Sequence, residues 1–215
     1  TAHRTCECID EAPFDAAPVD SRSVERRFVY ALACAVCGAL ALLLSVYGVR
    51  SDLPELVARP IFWIKIALPL TLAGAAMLAT ARLSRPGAAL GRVWTGLAAP
   101  AALVWIVALV VLWLAPREAR LALLMGHTWR TCSLNIALLS VPGLIAILAA
   151  VRSLAPTRLP LAGATAGLLA GAVGALAYCL RCPETDVPFW AMWYLLGIAI
   201  PAALGALLGR LVLRW

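Results

Sequence analysis

Six times along the chain, an apolar run, uncharged in five cases and carrying only Lys65 in the other, is followed by a short break that carries arginine, proline or both. Each run is about 20 residues long, the length that crosses a bilayer core at 1.5 Å rise per residue. The runs predict helices over about 28–48, 61–81, 94–114, 132–151, 160–180 and 189–209. Pro60, Pro116, Pro156, Pro160, Pro183 and Pro188 fall at or near their edges, where proline punctuates helices. Pro69, Pro100, Pro142 and Pro201 fall inside runs, so neighbouring helices must satisfy the carbonyls they free. No alternating pattern predicts a strand. The expected fold class is all-α, a polytopic membrane protein whose residues 28–215 form a six-helix bundle behind a tail of residues 1–27.

Composition agrees with this pattern. Hydrophobic residues make up 63% of the 215 positions and charged residues only 13%, about half the charged share of a soluble domain. So little polar surface does not cover a water-facing globule. The first apolar run follows a charged tail, so no cleavable leader is expected.

Charge then orients the bundle. Eleven arginines fall on the face that carries the tail, the breaks 82–93 and 152–159, and the C-terminus. Six fall on the opposite face, together with Asp52, Glu55, Glu118, Glu184 and Asp186. The positive-inside rule makes both termini cytoplasmic, and Trp63, Trp113, Trp129 and Trp190 are expected in the outer interfacial belt. The net charge of +7 is therefore a topology signal rather than a nucleic-acid patch. On the outer side the stretch 115–131 predicts a short interfacial helix.

The chemistry-bearing residues gather at the outer ends of the fourth and fifth runs. Cys132 and Cys182 are expected at one depth on sequential antiparallel helices, which makes them a candidate pair. Two unrelated free thiols remain the alternative. Cys179 stands three residues before Cys182, but a CxxC at a helix C-terminus has the helix dipole set against a thiolate, which weakens a redox role there. Cys34 and Cys37 repeat the spacing in the first run, where cysteine acts as a small apolar residue. His127, with Cys132, Cys182 and Glu184, forms a candidate soft-metal set; a solvated loop histidine is its alternative. The tail's His3, Cys6 and Cys8 match no zinc spacing. Lys65, the single lysine, is expected to snorkel outward or pair with an outer acid. Gly163, Gly167 and Gly171 in the fifth run, and Gly205 and Gly209 in the sixth, predict close helix packing within the chain.

No nucleotide loop, catalytic triad or zinc-protease signature is present, so an enzyme would have to rest on the cysteines. A quinone-linked thiol oxidoreductase of the DsbB or vitamin K epoxide reductase kind is the alternative function. A small-molecule or metal transporter would need more intramembrane charge than Lys65 alone supplies.

Four stretches, PIFWIK (60–65), HTWRTCSLNIALLSVPG (127–143), LAPTR (154–158) and CPETDVPFWAMWY (182–194), resemble the NrsF family of negative regulators of sigma F. The resemblance covers most of residues 28–215. It implies a six-span inner-membrane anti-sigma factor, not an enzyme, that holds an extracytoplasmic-function sigma factor. It implies release when periplasm-facing cysteines meet heavy metals or oxidants, with Cys132 and Cys182 as the sensing thiols. No cofactor is implied beyond a soft metal ion as signal, and the partners are the sigma factor and the bilayer, with no direct nucleic-acid contact. The tail departs from the family pattern in TAHRTCECIDEAPFD, whereas DAAPV and the Arg26–Arg27 pair fit it. Its four arginines face six acids, a net −2, so Glu11, Asp15 and Asp20 are expected sigma-factor contacts through complementary charge, with Arg26 and Arg27 added by the family pattern; a disordered, solvated leader is the alternative.

Overall fold

A computed structural model describes residues 21–48, 52–83, 91, 93–154, 156 and 158–214. Glu11, Asp15 and Asp20 of the tail lie outside the described residues. Helix α1 spans Ser21–Tyr47, α2 Leu53–Val57, α3 Pro60–Leu83, α4 Val93–Leu114 and α5 Arg117–Met125. Helix α6 spans Trp129–Arg152 and α7 Leu159–Cys179. The last helix, α8, runs over Val187–Val212 with a π-helical turn at Trp190–Tyr194. No strand occurs among the described residues. Six of the helices, α1, α3, α4, α6, α7 and α8, are long and apolar enough to cross a membrane.

Local chemistry sets the boundaries. Gly48 takes φ +68° after α1, the left-handed conformation that ends helices at little cost to glycine. Pro60 opens α3, and Pro160 sits in the first turn of α7, where a missing N–H leaves no intrahelical bond unmade. Arg120 turns back from α5 and donates to the carbonyls of Trp113 and Ala115 at 3.3 and 3.1 Å, giving the end of α4 a cation.

Helix α7 is the axis of the bundle. In its most apolar stretch 67% is buried, against 6% for α4, which lies at the periphery. It packs on α8, α6, α3 and α1, and its sequence explains why. Helices as apolar as these associate where their backbones can approach closely and gain dispersion across the contact. Small residues line α7 on all sides. A methyl added at Gly163 would overlap the Gly205 carbonyl, and one at Gly167 the Pro201 carbonyl. Gly171 lies over Ile198 and Pro201, Gly209 over the Leu159 carbonyl, and Gly174 faces Ile136 and Ser140 of α6. All five sequence-predicted packing glycines thus sit in one seam, between α7 and α8.

Two aromatic positions differ from expectation. Trp63 and Trp113 are exposed, but Trp190 is buried at 2% exposure and Trp129 is half-buried. Trp190 is drawn inward because its indole N–H has a partner there, the Glu184 carbonyl at 3.2 Å.

Replacing Gly167 by leucine should cost about 3 kcal/mol by forcing α7 from α8. Replacing Gly74, which has open space around it, by leucine should leave stability unchanged. Thermal unfolding of the two purified variants beside the parent protein measures the contrast.

Candidate functional site

Between α7 and α8 the chain makes a short irregular loop, residues 180–186, that seals one end of the bundle. Helix α7 stops at Cys179, yet the Cys182 N–H still reaches the Tyr178 carbonyl at 2.9 Å, which folds the loop back over the helix end. Cys182 is thereby turned inward at 1% exposure, beside Cys132 and Cys179, both at 0%. All three are free thiols. Cys132 and Cys182 lie close enough to influence one another's ionisation, so the structure brings the sequence-predicted pair together. The neighbouring Cys132 thiol, with the Lys65 ammonium nearby, holds the Cys182 thiol below its ordinary pKa against the opposing effect of burial. Cys34 and Cys37 lie apart on the exposed face of α1.

Lys65 departs from the snorkelling expectation. It is 4% exposed, and its ammonium donates to the carbonyls of Cys182 at 3.0 Å and Glu184 at 2.8 Å. The rings of Tyr194 and Trp190 lie 5.2 and 5.9 Å away. Carbonyl dipoles and aromatic faces take the place of water around the buried cation. A lysine one turn into an apolar run reads equally well as a snorkelling residue, which is why sequence reasoning missed this role.

Glu184 points the other way from the same loop. Its Oε1 accepts from the backbone N–H groups of His127 at 2.7 Å and Thr128 at 3.1 Å, and from the Thr128 hydroxyl at 3.4 Å. These groups lie at the N-terminus of α6, so a carboxylate from another segment caps that helix and meets the positive end of its dipole. Gly126 makes the approach possible. It takes φ +55°, and a Cβ there would stand 2.8 Å from Glu184 Oε2. His127 has its Nδ1 3.7 Å from Glu184 Oε1, and its side chain is 97% exposed. It projects outward while the thiols face inward, and no group of three or more His, Cys, Asp or Glu among the described residues is arranged to hold a metal ion.

Aromatic and polar contacts brace this end from beneath. Tyr47 of α1 donates to Asn135 of α6 at 2.6 Å, and Asn135 donates to Tyr178 of α7 at 3.2 Å. Ser133 donates to the Trp193 carbonyl in the π turn at 2.9 Å, and the Trp193 indole donates to the Leu124 carbonyl of α5 at 2.9 Å. The Tyr194 hydroxyl is buried beside Cys179 and Cys182, with no oxygen or nitrogen partner among the described residues. Asn135, Tyr178 and Tyr194 were absent from the sequence-derived site. The signal that could have found them is a polar side chain within an apolar run, a functional pointer in membranes. Arg26 and Arg27 are exposed near the start of α1.

The arrangement is a buried cluster of three thiols and one cation, under a loop held by Lys65 and Glu184. Two neighbouring thiols can be joined by an oxidant or bridged by a thiophilic ion. Lys65→Met should free the loop. Alkylation of Cys182 by a maleimide, followed by mass spectrometry, is expected to become about tenfold faster as local opening becomes easier. An unchanged rate would show that the loop is held by other contacts.

Comparison with known proteins agrees with the sequence resemblance. The family model for NrsF, described as a negative regulator of sigma F, matches residues 14–215. The chain is 45% identical over 200 residues to the probable anti-sigma-F factor NrsF of Azospira oryzae, covering 93% of this chain and 94% of that one. It is 37% identical over 213 residues to the anti-sigma-F factor NrsF of Caulobacter vibrioides, covering 99% and 100%. These relatives are regulatory proteins rather than enzymes. No solved structure matches the chain. Matched from residue 14 to its last residue, the chain belongs to the NrsF family, the negative regulators of sigma F.

Proposed function

We propose that the protein is an inner-membrane anti-sigma factor that holds an extracytoplasmic-function sigma factor and releases it when Cys132 and Cys182 meet an oxidant or a soft heavy metal. The observation that carries this reading is the burial of two free thiols as neighbours at one end of the bundle in a chain of a sigma-regulating family. The six apolar helices and the arginine bias favour insertion with both termini in the cytoplasm and the thiols facing the periplasm, where disulfides persist. The segment of residues 1–27, whose last seven residues already belong to α1, then meets the sigma factor, with Glu11, Asp15 and Asp20 offered to its basic, DNA-facing surfaces and Arg26 and Arg27 at the membrane edge.

Oxidation joins the sulfurs with loss of two protons and two electrons to the oxidant, and a soft divalent ion binds the same two sulfurs as thiolates. Either event changes the relation between the α6 N-terminus and the 180–186 loop. Helices α6 and α7 are joined at the far end by the segment 153–158, which gives the change a route to the cytoplasmic face. Moving a two-state system from 1:99 to 99:1 takes about 5.5 kcal/mol of differential stability. A cross-link closing about 50 residues contributes at most about 4 kcal/mol by chain entropy, so the linked geometry must also strain one state.

Cys132→Ser and Cys182→Ser should each abolish metal- or oxidant-induced release while leaving resting sequestration intact. A sigma-dependent reporter and co-purification of the two proteins measure both properties. An unaltered induced response in both single variants would falsify the sensing role.

A further inference from the structure

At the opposite end of the α7–α8 seam from the thiols lies a second, chemically different feature. The backbones of α7 and α8 meet where Gly209 packs on the Leu159 carbonyl. The next residues along each strand of this junction are Arg158, which precedes α7, and Arg210, in the last turn of α8. With Arg214 they line an open cavity of about 580 Å³ whose remaining walls are Leu159, Pro160 and Leu161. All three arginines are exposed, and the three apolar residues are half-buried. None of the three guanidiniums has a hydrogen-bond or ion-pair partner among the described residues. Local sequence offers none either, since residues 119–183 and 187–215 contain no Asp or Glu.

We propose that this cavity binds the phosphodiester headgroup of an anionic phospholipid, with the upper part of its acyl chains against Leu159, Pro160 and Leu161. Three cations converging on one concavity make it attractive to an external anion. The cavity lies at the ends of two membrane-length helices, where hydrocarbon gives way to headgroups, and basic clusters at that depth recruit anionic lipid. Guanidinium groups bind phosphate oxygens in bidentate fashion. The apolar floor favours a lipid over an acidic peptide, which would bring carboxylates but nothing to cover it. A diphosphatidyl lipid, with two phosphates on one glycerol bridge, fits three guanidiniums better than a single-phosphate lipid. The inference requires the helices to be membrane-inserted, but not that the cysteines sense anything.

The test uses the full chain, purified in detergent and delipidated, with thermal unfolding followed as cardiolipin, phosphatidylglycerol or phosphatidylcholine is added. Cardiolipin is expected to raise Tm by about 5 °C near saturation, phosphatidylglycerol by less and phosphatidylcholine not at all. Each guanidinium near an anionic surface contributes roughly fivefold in affinity, so R158Q/R210Q/R214Q should bind cardiolipin about 100-fold more weakly. R117Q, at the other end of the bundle, should respond like the parent. Equal stabilisation of parent and triple variant, or equal response to phosphatidylcholine, overturns the proposal. So does displacement of cardiolipin by a peptide of residues 1–20, which would make the tail the occupant. If the triple variant does not fold, native mass spectrometry of the parent decides: preferential retention of anionic lipid supports the site, and indifferent retention overturns it. No arm reads sigma-factor release, so failure of the sensing mechanism would leave this result standing.

Discussion

A single ammonium in an apolar bundle sets the geometry of the candidate site. Burying a cation without compensation costs many kcal/mol, so Lys65 must find dipoles wherever it enters the protein. It finds them in two carbonyls of one loop, those of Cys182 and Glu184, and in the faces of Tyr194 and Trp190. The same constraint fixes the loop. With its carbonyls turned toward Lys65, the loop presents Cys182 inward to Cys132 and sends the Glu184 carboxylate outward to the N-terminus of α6. One buried charge on α3 thereby positions a thiol, a helix cap and the inward rotation of Trp190.

The rest of the bundle is rigid for a different reason. Along the α7–α8 seam, glycine backbones approach until no side chain fits between them, and dispersion over that contact holds the two helices together. Among the described residues, side-chain hydrogen bonds between helices gather near the thiol end, where Tyr47, Asn135 and Tyr178 link α1, α6 and α7. The loop and the α5–α6 junction hold their places by hydrogen bonds rather than by backbone packing. Motion is therefore expected at the loop, while the seam below it moves as a unit. This division suits the proposed function, in which a small chemical change at one end must alter the other end of α6 and α7.

Both ends of the bundle owe their chemistry to the helix termini. On one side a carboxylate meets the positive end of α6, and on the other, arginines collect where α7 begins and α8 ends. The first contact is internal and satisfied. The second leaves three cations facing outward, and the difference follows from where the acids fall in the chain, with Glu184 and Asp186 beside the thiols and none from residue 187 to the end.

Hydrophobic run length by itself determined the six long helices, because a membrane-length helix must hide its backbone polar groups internally whatever its neighbours do. Its edges came from proline and glycine, and the candidate thiol pair from the depth at which Cys132 and Cys182 fall on sequential runs. The glycine spacing of the fifth and sixth runs was equally visible, since close approach requires small residues wherever it occurs. Which helix lies at the centre was not legible: α4 is as apolar as any, yet only α7 is small enough on every side to be surrounded. The roles of Lys65 and Glu184 were also hidden, because a charge near a run's end can point to water or inward, and only the folded carbonyls decide. Tertiary structure alone turned His127 outward and Cys182 inward, since both directions are set by one loop whose partners lie more than 50 residues away in sequence.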